Sequence, residues 1–419
     1  MLAESEFNYR GGGLACEGVD LGALAAEYGT PAYVYSRHGI ASRFCAYEEA
    51  LRDIPHQVCF AVKANSNLAV LSVLAREGAG FDIVSGGELY RVLAAGGDPS
   101  RVVFSGVGKT EAEIRFALQQ GIHSFNCESE FELDLLSRTA ASLGKTASIA
   151  LRVNPDVDAV THPYISTGLR EHKFGIDIAH AGRIYARAKN LPGVVPEGVS
   201  CHIGSQLLDV KPLLEAADKM LALVERLRSQ GIAVRYLDLG GGLGVPYRST
   251  DRPLSARTLV EEIKNRIAGR GLTLMLEPGR SIVAEAGILL TRVLLVKNNA
   301  KKTFVIVDAA MNDLIRPSLY QAHHEIVPVK QNASVEDITA DIVGPVCETG
   351  DFFAHGRQIA AVEPGDLLAI RTAGAYGFVL SSNYNSRPRP CELLIDGQAV
   401  HVARRRETWE DLIRGEVSF

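Results

Sequence analysis

Lys63 closes an apolar run in A-V-K-A-N, residues 61–65. A lysine there, partly stripped of water, favours its neutral amine and can form a Schiff base with a carbonyl. The ordinary alternative is a lysine that merely reaches past a strand end into solvent. Far downstream, Gly240, Gly241 and Gly242 are consecutive in L-D-L-G-G-G-L-G, and Glu277, Pro278, Gly279 and Arg280 follow one another in L-E-P-G-R. Consecutive glycines let a phosphate approach backbone N–H groups closely. A tight turn explains either segment alone. The spacing is not G-x-G-x-x-G, which disfavours a nicotinamide dinucleotide. His202 and Ser205 lie together in C-H-I-G-S-Q. A third constellation, G-P-V-C-E-T-G-D-F-F, holds Cys347, Glu348 and Asp351. A cysteine near a cationic cofactor can give or take a proton, although most free cysteines are inert core residues.

The elements that must position these residues are legible from periodicity. Between about residues 57 and 280, eight short aliphatic runs alternate with amphipathic segments: 58–64, 80–85, 102–106, 123–128, 148–154, 199–204, 236–240 and 273–278. Alternation of this kind predicts a parallel sheet, and eight units over this length predict a (β/α)₈ barrel rather than an open doubly wound sheet. Active sites of such barrels form at the C-terminal ends of the strands, with phosphate commonly bound after strands 7 and 8. Lys63 then closes strand 1, strand 6 carries His202 and Ser205, strand 7 ends in the triple glycine, and strand 8 ends in Glu277 to Arg280. A lone strand histidine is usually structural; one that shares a rim with a lysine and a phosphate cradle is a site candidate.

After about residue 286 strand-like runs crowd together, and Asp396-Gly397 is a hairpin signal. The expectation is an α/β protein: a barrel over residues 36–285, and an all-β domain, barrel or sandwich, built from 1–35 and 286–419. Residues 408–414 read as a short capped terminal helix. The chain has 419 residues, 44 basic and 49 acidic side chains, and a formal charge of −5. These charges are interspersed, so no nucleic-acid or membrane partner is expected. Seven cysteines without C-x-x-C spacing predict neither a disulfide framework nor a metal centre and suit a reducing cytoplasm. No signal peptide and no membrane-spanning run is apparent. His323-His324 invites a metal reading, but neighbouring strand residues face opposite sides and no carboxylate cluster accompanies them.

With these motifs the sequence resembles the fold type III, alanine-racemase-like pyridoxal-phosphate enzymes, and among them the diaminopimelate decarboxylases, over nearly its whole length. The resemblance implies that Lys63 bonds pyridoxal 5′-phosphate, that His202 stacks on its ring, and that Ser205, Gly240 to Gly242 and Glu277 to Arg280 hold its phosphate and ring. It implies that Glu277 contacts the pyridine nitrogen and keeps it protonated, where the racemases of this fold place an arginine; that choice favours decarboxylation. Cys347 corresponds to a proton donor that reaches a neighbouring subunit's site in a homodimer. Tyr376, in A-G-A-Y-G, resembles a tyrosine that closes over cofactor and substrate. The segment D-A-A-M-N-D-L-I-R-P-S-L-Y supplies Arg316 and Tyr320, which with Arg280 suit a distal carboxylate, while Glu348 suits a distal ammonium. Residues 161–175 resemble a closing loop. The implied reaction turns meso-2,6-diaminopimelate into L-lysine and CO₂. Another basic-amino-acid or carboxynorspermidine decarboxylase is the nearest alternative. A non-catalytic cofactor-binding regulator is another, but the single-domain regulators of this fold lack the β domain and its Cys347-Glu348 pair.

Overall fold

The computed structural model describes residues 6–157, 173–332 and 334–419. It divides into two compact units. One comprises Ser42–Val245 and Arg252–Ser281; the other comprises residues up to Ala41, Pro246–Asp251 and Ile282–Phe419.

The first unit holds eight barrel strands: His56–Ala61, Gly80–Ile83, Val102–Phe104, Ser124–Cys127, Ala147–Asn154, Val194–Ser200, Tyr236–Asp238 and Thr273–Leu276. Each pairs in parallel with the next, and the eighth pairs with the first. The sheet therefore closes, which excludes the open arrangement. Each of the first four strand ends runs into a helix through a polar cap. Asn67, Ser85, Thr110 and Ser129 accept backbone N–H groups from the first turns of Leu68–Arg76, Gly86–Ala94, Glu111–Gln120 and Glu130–Ser142. Such caps satisfy donors that a helix start leaves without partners. Inside the barrel, Cys59, Val103, Ala150, Tyr236 and Met275 form one apolar cluster. Strand side chains repeat every two residues on a face. Two residues further on, four of these strands therefore present Ser105, Arg152, Asp238 and Glu277 inward. The inner layer turns from apolar to polar toward the strands' C-terminal ends.

The second unit is sheet-rich. A path of strands runs Phe352–Ala360, Asp337–Val343, Thr303–Val307, Gly287–Asn298, Ala32–Ser36, Cys391–Asp396, Ala399–Arg404. Leu367–Ile370 also pairs with Gly287–Asn298. The Asp396-Gly397 hairpin forms, with Gly397 at φ 63°. Phe7–Arg10 pairs with Gly13–Cys16 in a separate small sheet. The core gathers Phe7, Leu14, Val34, Ile288, Leu290, Leu393 and Ile395. The terminal helix is Trp409–Leu412, with a capping box at Thr408. Among the described residues no helix is long and apolar enough to cross a membrane, and no group of side chains suits a metal ion.

Candidate active site

Lys63 does not end a strand. The first strand stops at Ala61, and a single 3₁₀ turn, Val62–Ala64, carries the lysine. The Ala61 N–H donates to the Pro278 carbonyl at 3.0 Å, and the Asn65 N–H closes the turn on Val62. The Lys63 ammonium lies 2.8 Å from Oδ2 of Asp82, a fully buried carboxylate on the second strand. A Cβ on Gly279 would stand 2.9 Å from Cβ of Ala64, so the loop after strand 8 lies directly on the lysine's turn.

Beside this pair lies a buried polar network. The Asn126 amide donates to Asp238 Oδ2 at 3.0 Å and to Glu277 Oε1 at 3.3 Å, and the Ser105 hydroxyl donates to Glu277 Oε1 at 3.5 Å. Burial pushes the Glu277 carboxyl well above the usual carboxylate range; the negative charges of Asp238 and Asp82 add to this, and Lys63 opposes it. Burial also raises Asp238, against hydrogen bonds from Glu277, the Gly240 N–H and Asn126. Two neighbouring buried carboxyls that cannot both ionise share a proton. Both carboxyls are pushed upward, Glu277 well above its ordinary range.

His202 and Ser205 lie beyond the end of the sixth strand at Ser200, in the following loop. Burial lowers the His202 pKa well below that of an ordinary imidazole, and Arg152 and Lys63 add to the effect. The ring is therefore neutral. Its Nδ1 accepts the Gly241 N–H at 3.3 Å, which assigns its proton to Nε2. The glycines answer first to packing. A Cβ on Gly241 would sit 2.3 Å from the Glu277 carbonyl oxygen, and one on Gly242 2.7 Å from that of Gly204. Gly240 and Gly242 also have φ 65° and 114°. Only glycine lets the loops after strands 6, 7 and 8 lie this close. Arg280 Nη2 donates to the Ser205 hydroxyl at 3.0 Å.

Lys63, His202, Ser205, Gly240, Gly241, Gly242, Glu277, Pro278, Gly279 and Arg280 are thus brought to one end of the barrel. The donor set suits an aromatic aldehyde carrying a phosphate: an amine, a flat neutral ring, a buried carboxyl, and a hydroxyl beside a guanidinium. Among the described residues, Asp82 Oδ1, Asn126 Oδ1 and Arg152 Nη2 are buried without hydrogen-bond partners, so this end of the barrel has polar capacity left over. Asp82, Asp238, Asn126 and Ser105 were not singled out from the sequence, although an acid within the apolar runs G-F-D-I and Y-L-D was the available signal.

Arg316, Tyr320, Cys347, Glu348 and Tyr376 belong to the second unit. Arg316 opens the short helix Arg316–Tyr320 and is buried. Cys347 is exposed, and its N–H donates to Asn385 Oδ1 at 2.9 Å. Glu348 accepts the Tyr384 hydroxyl at 3.2 Å. Buried Asp351 accepts the Met311 and Val346 N–H groups, both at 2.7 Å, which ties the cysteine's turn to the segment leading to Arg316. Tyr376 has φ 55°. The expected closing loop lies outside the described residues except at Lys173–Gly175, where the Gly175 N–H donates to buried Glu128 at 2.8 Å.

Residues 37–284 match the family model described as pyridoxal-dependent decarboxylase, pyridoxal binding domain. This is a pyridoxal-phosphate-dependent carboxy-lyase, and pyridoxal phosphate is its cofactor. The chain is 59% identical over 410 residues to a diaminopimelate decarboxylase of Pseudomonas aeruginosa, covering 98% of each, and 53% identical over 410 residues to one of Vibrio cholerae, covering 97% of each. It superposes at TM-score 0.91 and 45% identity on the crystal structure of diaminopimelate decarboxylase from Helicobacter pylori complexed with L-lysine, covering 94% of this chain and 98% of that one. The chain belongs to the diaminopimelate decarboxylase family.

Proposed function

We propose that the protein converts meso-2,6-diaminopimelate to L-lysine and CO₂, the last step of lysine biosynthesis. The observation that carries the reaction type is the buried Glu277 carboxyl, joined to Asp238 through the Asn126 amide at the same barrel end as Lys63. The substrate rests on the full-length likeness to relatives named for it and to a structure holding L-lysine. Bound pyridoxal phosphate supplies an electron sink for the carbanion left when CO₂ departs.

The chain's own residues have separable tasks. Lys63 holds the cofactor covalently through its amine. His202 offers a neutral ring face. Ser205, Arg280 and the N–H groups of the glycine loops take the phosphate. Glu277 contacts the ring nitrogen and keeps it protonated. Arg280, Arg316 and Tyr320 take the substrate's distal carboxylate, Glu348 its distal ammonium, Tyr376 closes on both ligands, and Cys347 returns a proton to carbon. The working form is a cytoplasmic homodimer in which Cys347 serves the partner's site.

CO₂ release measured with diaminopimelate, lysine, ornithine and carboxynorspermidine tests the reading. Diaminopimelate should have much the highest kcat/KM. Preference for lysine or ornithine would overturn the substrate, and no CO₂ from any would favour a cofactor-binding regulator.

A further inference from the structure

Two uncharged groups lie against Arg316 among the described residues. Its Nη1 lies 2.8 Å from Nε2 of His324, and its guanidinium carbon lies 4.6 Å from the centroid of the Tyr247 ring. His324 is completely buried. Its Nδ1 lies 2.8 Å from the Arg371 carbonyl oxygen. A carbonyl only accepts, so Nδ1 carries the proton. In the neutral ring Nε2 is then a lone pair, and a guanidinium only donates. The polarity from Arg316 through His324 to the Arg371 carbonyl is therefore set by the chemistry of its two ends. The His324 ring also meets the Tyr247 ring edge-on, 5.3 Å between centroids and 79° between planes. Gln321, at φ 52°, turns the chain back after Tyr320 so that a histidine eight positions beyond Arg316 can reach it.

We infer that His324 and Tyr247 are positioning residues for Arg316, fixing the plane and roll of its guanidinium for the substrate's distal carboxylate. The inference rests on the proposed role of Arg316 and extends it. Both contacts orient the guanidinium without neutralising it, because an imidazole lone pair and an aromatic face carry no net charge. A carboxylate in either place would orient it equally well and would compete with the substrate. Bidentate recognition depends on the angle of the guanidinium plane, so a loosened arginine weakens substrate binding before it affects the chemistry.

The test is steady-state kinetics of the cofactor-loaded enzyme with diaminopimelate. His324→Leu should raise KM about tenfold, roughly what loss of one charge-assisted hydrogen bond gives, with kcat changed less than about threefold and the cofactor absorbance unaltered. His324→Gln, which can accept from Arg316 and donate to Arg371, should recover most of the loss. Tyr247→Leu should raise KM similarly, and Tyr247→Phe, which keeps the ring face, should not. In an Arg316→Ala background His324→Leu should have no further effect on KM. A normal KM in His324→Leu or Tyr247→Leu, where Arg316→Ala does raise KM, overturns the inference and leaves the role of Arg316 standing. An unchanged KM in Arg316→Ala itself would remove that role and the inference with it. If His324→Leu does not fold, the two Tyr247 variants decide. Equal loss of kcat and thermal stability in Tyr247→Leu, without a selective rise in KM, would mean a structural role only.

Discussion

Glu277→Gln should make the cofactor-free protein more stable while nearly abolishing its activity. In the parent, burial and two neighbouring carboxylates raise the Glu277 pKa well above its ordinary value of 4.5. Above that value the unfolded chain has released a proton that the folded chain still binds. The favourable contribution is complete below 4.5 and is lost as pH rises toward the folded pKa. Each pH unit within that window costs the parent up to about 1.4 kcal/mol. The sharing of the proton with Asp238 makes this an upper bound. A glutamine has nearly the same shape and does not titrate, so the variant escapes the loss. Melting curves of the cofactor-free proteins should therefore diverge from pH 4.5 upward, with the variant ahead. Saturating pyridoxal phosphate should then favour the parent, whose carboxylate can meet a protonated ring nitrogen. The kcat for diaminopimelate should fall about 10²–10³-fold, as when a preorganised polar partner of the reacting centre is removed. A cofactor-free variant less stable than the parent at pH 7, or parallel pH profiles, would refute the like-charge reasoning. Decarboxylation at the parental rate would refute the electron-sink role.

Three other outcomes are expected. Borohydride should fix the cofactor to Lys63, and Lys63→Ala protein should carry no trapped cofactor by mass spectrometry. Gly241→Ala places a Cβ 2.3 Å from a backbone carbonyl; such overpacking should cost about 1–3 kcal/mol, read as a 5- to 150-fold weaker cofactor affinity in an absorbance titration. Mixing inactive Lys63→Ala with inactive Cys347→Ala should restore activity once subunits exchange, and proven exchange without recovery would place each complete site within one chain.

The barrel was legible because each strand carries its own signal, an aliphatic run ending in polar or small residues, and all eight runs overlap strands, although the sixth, expected over 199–204, shares only Val199 and Ser200 with Val194–Ser200. The sequence did not show how each strand stops. Lys63 rides a 3₁₀ turn and His202 a loop, because the last paired residue depends on where the neighbouring strand ends. Asp82 and Asp238 escaped notice for a related reason. An isolated acid in a short apolar run gains its meaning only when closure of the sheet brings it against Lys63 or Glu277 from elsewhere in the chain. In the sequence His324 reads only as half of a histidine pair that invites a metal. Its partner is Arg316, reached through the left-handed turn at Gln321, which periodicity does not register.

The strand Ala32–Ser36 lies between Gly287–Asn298 and Cys391–Asp396, the latter in parallel. One of the first segments to leave the ribosome therefore waits for one of the last. About 350 residues separate the two, roughly 20–70 s at about 5–20 residues per second. Until Gly287–Asn298 has been made the apolar A-Y-V-Y run lacks both neighbours, and until Cys391–Asp396 follows it lacks one, open to holdase chaperones or to the wrong edge. A circular permutant that opens just ahead of Cys391 and joins the original ends would remove that wait, by making Cys391–Asp396 and Ala32–Ser36 early neighbours in synthesis. A higher folded yield of the permutant than of the parent at high expression temperature would show that the wait exposes the run.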